Sequence, residues 1–262
     1  MCQEVSQGVR NSNIWQIKKD NCTRYLDKTE AINYVFKDVF GVNNPFTLEE
    51  IERRFCYDIP LPVPVQSASS GEETWIYPLE NKNVLSTKDQ NQLGKTHDWV
   101  FPKQPIHSMK DLFKYWDKVN YHTGEKITNS TDILKSDSIT NSTNIYRGNF
   151  IFNSQNIAFG YNNFDCSYLV ASRGNNSCSL GIRLKESIYS SSTFEVNYSN
   201  KITRSMFIYN SFNLFECMFC FNMASKQYCI ANMQYEKDEY FVIKKMVINW
   251  ILKNYSSSSI SK

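Results

Sequence analysis

Between Ser138 and Ile230, polar corners rich in Asn and Ser alternate with short runs of apolar and aromatic residues. The clearest units are Asn141-Ser142-Thr143-Asn144-Ile145, Asn153-Ser154-Gln155-Asn156-Ile157 and Asn210-Ser211-Phe212-Asn213-Leu214. Looser units end at Cys166, Cys178, Ile188, Lys201 and Gln227, so the end of the unit recurs at an uneven step along the chain. A unit this short cannot bury its own apolar face, and stacked β-coils are the architecture in which neighbours do it together. Strands at this spacing also suit an antiparallel sandwich. Hairpins, however, favour Asn-Gly or Asp-Gly turns, and the region contains neither. The pattern therefore predicts a short parallel β-solenoid (β-helix) over 138–234. Ile145, Ile157, Cys166, Cys178 and Leu214 should point inward, and corner Asn side chains should hydrogen-bond from rung to rung. Taking the units in pairs gives a longer coil, and its shorter register sets Asp165 over Glu186, Arg183 over Arg204 and Glu195 over Glu216.

Residues 1–137 follow a different pattern. Ile32, Val35, Phe36, Val39 and Phe40 recur at helical spacing after Asp27 and Glu30, with Gly41 as the stop. Thr47 and Glu50 repeat the capping pattern before Ile51 and Phe55, and Ser108 and Asp111 do so before Leu112, Phe113, Trp116 and Val119. Between these helices run proline-marked extended segments, 59–65, 75–78 and 99–102. From Glu236 to Tyr255 the stripe Tyr240, Ile243, Val247, Trp250, Ile251 and Asn254 predicts a helix, expected to cap the solenoid. The fold class is thus mainly β with α. A mixed α/β N-terminal region (1–137) leads into the solenoid (138–234), and a C-terminal helix and tail (235–262) follow.

Composition supports the division. All seven prolines lie at or before Pro105, all three histidines at or before His122, and no glycine follows Gly181. A 41% apolar and 15% aromatic content argues for a folded core. The net charge of +3, from 29 basic and 26 acidic residues, is too small and too scattered to argue for nucleic acid. No run is apolar enough for a membrane span, and residues 1–20 hold nothing like a secretory signal. The expectation is a cytoplasmic protein whose eight cysteines are reduced thiols.

The stretch Phe215-Glu216-Cys217-Met218-Phe219-Cys220-Phe221, then Lys226-Gln227-Tyr228-Cys229-Ile230 and Lys237-Asp238-Glu239-Tyr240, resembles the C-terminal end of cysteine-rich short-repeat proteins of reduced-genome bacteria. The resemblance is carried mainly by residues 210–245. Those proteins pair a zinc-ribbon portion with a short-repeat portion. The first half of this chain has no Cys-x-x-Cys, so the resemblance implies the repeat fold and no zinc ribbon or activity.

Three constellations could carry chemistry. Cys217, Cys220 and Cys229 are candidate metal ligands, since two cysteines three apart can clamp one ion; the alternative is small buried hydrophobes. Asp165 and Glu186 are candidate acid/base carboxylates if they stack, with Arg183 and Arg204 as anion partners; the alternative is solvated surface charge. Trp75, Trp99 and Trp116 lie in proline-marked loops of the N-terminal region and are candidate partner anchors; the alternative is that they fill that region's own core. No Gly-rich phosphate loop or metal-type His spacing occurs, so no cofactor is expected. The reading is a non-enzymatic scaffold or protein-binding module. A carbohydrate-active or carbohydrate-binding solenoid and a metal-dependent interaction module are the alternatives.

Overall fold

The computed structural model describes residues 14–19, 22–78, 83–97 and 99–256, with side chains from residue 29 onward. The cap expected at Asp27, the His97-Asp98 pair and most of the serine tail lie outside the described side chains.

The solenoid is present, and it is narrower than the paired sequence units suggested. Every parallel pairing within the stack has the same offset, which carries Ile145 to Ile157, Ile157 to Leu169, Ile182 to Phe194 and Ile202 to Leu214. Each sequence unit is therefore a whole coil rather than half of one. About nine coils span 127–230. At about 4.8 Å per rung the stack is about 40 Å long. It begins ahead of Ser138, with Ile127–Thr128 and Thr131–Leu134 already paired to the next coil.

The coil is built in triplets. Every third residue from Asn129 to Ala231 has a positive φ near 50° to 60°, Gly174 being the one glycine in the series. A left-handed residue costs a side chain with Cβ about 1 kcal/mol or more, least for Asn. Asn at positions 129, 141, 144, 153, 156, 162, 210, 213 and 222 thus occupies the turns for a conformational reason. Several of these amides form ladders: Asn129 donates to Asn141 (2.7 Å), Asn141 to Asn153 (3.2 Å), and Asn210 to Asn222 (3.4 Å).

The residue after each left-handed turn points inward, so four side chains per coil fill the lumen. They alternate small and large: Ser136, Ile139, Ser142, Ile145, Gly148, Ile151, Ser154, Ile157 and Gly160 are all buried. The alternation reappears from Val196 to Leu214, after a stretch carrying Asn163, Cys166, Asn175 and Cys178 inside. Ile145, Ile157, Cys166, Cys178 and Leu214 point inward as expected. The serines have a second duty. Ser154 Oγ accepts the Cys166 N–H (3.0 Å) and donates to Phe152 O (2.7 Å), and Ser205 Oγ treats the Cys217 N–H (2.9 Å) and Thr203 O (2.8 Å) likewise. Each such serine satisfies a backbone N–H that would otherwise be stranded in the core.

One flank of the stack is an apolar column, one residue from each coil: Tyr146, Ala158, Val170, Ile182, Phe194, Met206, Met218 and Ile230 are all buried. Helices cover it. Helix α1 (Lys28–Phe40) lies against the strands over 155–197, bringing Tyr34 to Tyr168 (5.0 Å) and Phe40 to Phe194 (5.2 Å). Helix α2 (Leu48–Phe55) starts with the capping box expected at Thr47 and Glu50 and buries Ile51 and Phe55. The chain leaves the last coil through the hairpin Cys229–Ile230/Met233–Gln234. The C-terminal helix, Lys237–Asn254, then runs back along the same flank, from Tyr240 beside Tyr228 (5.7 Å) to Tyr255 beside Phe194 (5.0 Å). It covers the side of the stack, where the apolar column is.

The remaining N-terminal strands form small ribbons: β1 (Ile14–Lys19) with β2 (Cys22–Asp27), β3 (Val63–Gln66) with β4 (Glu73–Ile76), and β5 (Asn83–Ser86) parallel to β6 (Tyr121–Gly124). Helix α3 (Thr87–His97) packs on the last pair. Tyr77 stacks on Tyr161 (5.8 Å) and its N–H donates to Asp137 (3.3 Å), joining this region to the first coils. Between α3 and β6 the chain makes an excursion that contains helix α4 (Met109–Trp116).

Candidate functional site

The constant offset between coils separates the proposed carboxylate pair, because it carries Asp165 to Ser177 and then to Tyr189, past Glu186. Asp165 lines a polar groove with Asn141, Thr143, Asn153 and Gln155, while Glu186 lines another with Tyr198, Asn200 and Phe212. No shared groove brings the two together. Arg183 is also withdrawn from ligand duty. It is buried on the helix-covered flank, where Nε donates to Glu195 (2.6 Å) and Nη1 to Phe55 O (2.6 Å) and Asp58 (2.7 Å). Its guanidinium also lies over the Tyr57 ring at 4.2 Å. Arg204 is exposed in a different column of the stack. The like charges that the longer register would have stacked do not repel either, since Glu195 pairs with Arg183 and Glu216 with Lys244 (2.5 Å).

This cluster fastens three parts of the chain. Tyr255 donates its hydroxyl to Glu195, Lys185 reaches Asp58 (3.3 Å), and Arg147 pairs with Glu52 of α2 (3.0 Å). Burial alone would raise the Asp58 carboxyl, but the Arg183 hydrogen bonds and charge, with Lys185, outweigh it and hold the group below its ordinary value. Burial and the Glu195 carboxylate keep Tyr255 protonated. The arrangement is a structural clamp.

Cys217 and Cys229 lie one coil apart on the same inward position, and Cys220 lies on the next. All three thiols are buried and donate to carbonyls: Cys217 to Phe215 O (3.4 Å), Cys220 to Met218 O (3.3 Å) and Cys229 to Gln227 O (3.6 Å). The neighbouring Cys220 thiol and burial hold Cys217 well above the usual thiol range. Among the described residues no group of three His, Cys, Asp or Glu has the arrangement of a metal site. These cysteines fill the lumen of the last coils.

The tryptophans divide. Trp75 is buried at 8% exposure, donates to Glu73 (3.2 Å) and sits beneath the cationic side chains of Lys135 and Arg147. It presents no surface to a partner. Trp99 and Trp116 are 39% and 53% exposed. They belong to a larger feature: Val100, Phe101, Ile106, Met109, Leu112, Phe113 and Val119 are exposed too, and α4 buries none of its residues. Ser108 caps α4 by accepting the Asp111 N–H, and the Asp111 carboxylate accepts the His107 N–H (3.1 Å) and the Ser108 hydroxyl (2.9 Å). The helix is well started and strongly two-faced, yet its apolar face touches no core. The sequence marks this helix through Ser108 and Asp111 and offers Trp116 as a candidate partner anchor, but spacing alone cannot say whether a partner element lies opposite the stripe.

No family model, curated protein or solved structure matches this chain.

Proposed function

We propose that this protein is a non-enzymatic binding module, a solenoid rod that holds out residues 99–119 for insertion into a protein partner. The observation that carries the reading is the bare apolar face of α4. Met109, Leu112, Phe113 and Trp116 stand at i, i+3, i+4 and i+7, exposed by 61, 41, 57 and 53%. That is the spacing with which an amphipathic helix fills a hydrophobic groove. An apolar surface of this extent on a monomer marks an interaction site. Lys103, Lys110, Lys114 and Lys118 around the face outnumber the exposed Asp117, and Asp111 is engaged in the cap, so the matching groove carries an acidic rim. Trp99 and Trp116 are its anchors, as aromatic residues commonly are. An acid/base enzyme is less well supported, since Asp165 and Glu186 lie in separate grooves. A metal-dependent module is less well supported too, since the three cysteines donate to backbone carbonyls.

The test is quantitative capture with the immobilised full chain against its Phe113→Ala/Trp116→Ala variant. Both substituted residues are exposed, so circular dichroism and melting should match between the two. Proteins held by the wild type, released by a soluble peptide of residues 106–120 and absent from the variant are the expected outcome. Equal retention by both forms would remove α4 from the interface.

A further inference from the structure

The flank that the helices leave bare carries a second recognition surface, independent of α4. A groove of about 500 Å³ runs along the stack over four successive coils, a volume in the ordinary range for small-ligand sites. One wall is Glu186, Tyr198, Asn210 and Asn222, each one coil beyond the last; the other includes Asn200 and Phe212, in the same register. We propose that this groove binds a neutral, linear oligosaccharide lying along the solenoid axis.

The lining chemistry selects that class. Tyr198 and Phe212 stand half-exposed at 47 and 44% and offer flat apolar surfaces, such as the C–H face of a pyranose ring covers. Lys201 lies over one face of the Phe212 ring at 5.5 Å, so Tyr198 is the platform on which a ring stacks first. Three amides and one carboxylate alternate with these rings and supply the donors and acceptors that hydroxyl groups need. The Asn210 amide, held by its bond to Asn222 (3.4 Å), is fixed in orientation before any ligand arrives.

Other polymers fit less well. Glu186 is the one charged side chain lining the groove, and its negative charge repels the phosphates of nucleic acid. A peptide adding as a strand needs free backbone groups. Along this flank the backbone N–H and C=O groups are spent between rungs, as in Asn200 N–H to Ser211 O (3.1 Å) and Phe212 N–H to Met223 O (2.9 Å). Rungs about 4.8 Å apart present the same groove position repeatedly along the axis, which suits a chain of repeating sugar units.

Calorimetric titration of the full chain with cellohexaose, chitohexaose, xylohexaose, laminarihexaose and mannohexaose tests the proposal, with polygalacturonate and heparin as anionic comparators. Saturable binding of at least one neutral hexasaccharide is expected. Tyr198→Ala should weaken it about tenfold or more, the equivalent of a lost stacking contact. Phe113→Ala/Trp116→Ala should leave it unchanged, which separates this site from the α4 surface. The proposal is overturned if no neutral hexasaccharide binds at millimolar concentration. It is equally overturned if binding survives Tyr198→Ala undiminished, or if the anionic polymers bind in preference.

Discussion

Serine inside this solenoid acts as a backbone partner, which explains why so polar a sequence can line so narrow a lumen. Ser142, Ser154, Ser199, Ser205 and Ser211 each accept the N–H of the residue one coil on. Removing the hydroxyl leaves that donor buried without an acceptor, a loss of about 1–3 kcal/mol. Ser205→Ala should therefore destabilise by about that amount in chemical denaturation, although the side chain loses only its oxygen. Ser205→Cys should recover part of the loss, because Cys178 Sγ already accepts the Ser190 N–H at 3.5 Å in the same role. A Ser205→Ala protein as stable as wild type would show that these contacts contribute nothing net. Glycine has a comparable steric duty in the lumen. A Cβ at Gly160 would stand 2.4 Å from Ile157 Cγ2, so the large-small alternation is enforced by contact.

Two helices meet opposite fates. The C-terminal helix, α5 (Lys237–Asn254), buries Tyr240, Val247 and Ile251 against the apolar column of the stack. Helix α4 buries nothing. Ile251→Ala should cost about 2–4 kcal/mol by transfer and cavity terms together. Phe113→Ala on α4 should stay within about 0.5 kcal/mol of wild type, as surface substitutions do. Urea denaturation of the two variants side by side checks the contrast. A large loss for Phe113→Ala would mean that α4 is packed on its own chain in solution.

The clamp around Arg183 contributes to how the whole molecule answers to acid. Asp58 is held below its ordinary value when folded, so its ionised form favours folding above the unfolded-chain value of about pH 4. That contribution fades as pH falls through the lower folded-state value. The difference in melting temperature between wild type and Asp58→Asn should be present from neutral pH down to about pH 4 and should close below it. A gap that persists unchanged at lower pH would show that Asp58 acts through packing rather than charge.

The sequence by itself determined that the chain has two differently built halves, that 138–230 stacks as parallel rungs, and that Ile145, Ile157, Cys166, Cys178 and Leu214 point inward. It did so because apolar periodicity and Asn at left-handed turns are local demands, written wherever the backbone turns. It also placed α2 through Thr47 and Glu50, whose reciprocal hydrogen bonds involve neighbours alone. Coil length escaped it. Phe, Tyr, Leu, Arg and Glu stand at positive φ as well as the favoured Asn, so the register of the coil has no constant residue to mark it. Only the tertiary structure decided that Asp165 and Glu186 part company, that Arg183 is spent on Asp58 and Glu195, and that Trp75 is buried while Trp116 is exposed. Each of these depends on which surface lies across from the residue, and two faces of the same composition read alike until the chain has folded one of them against something.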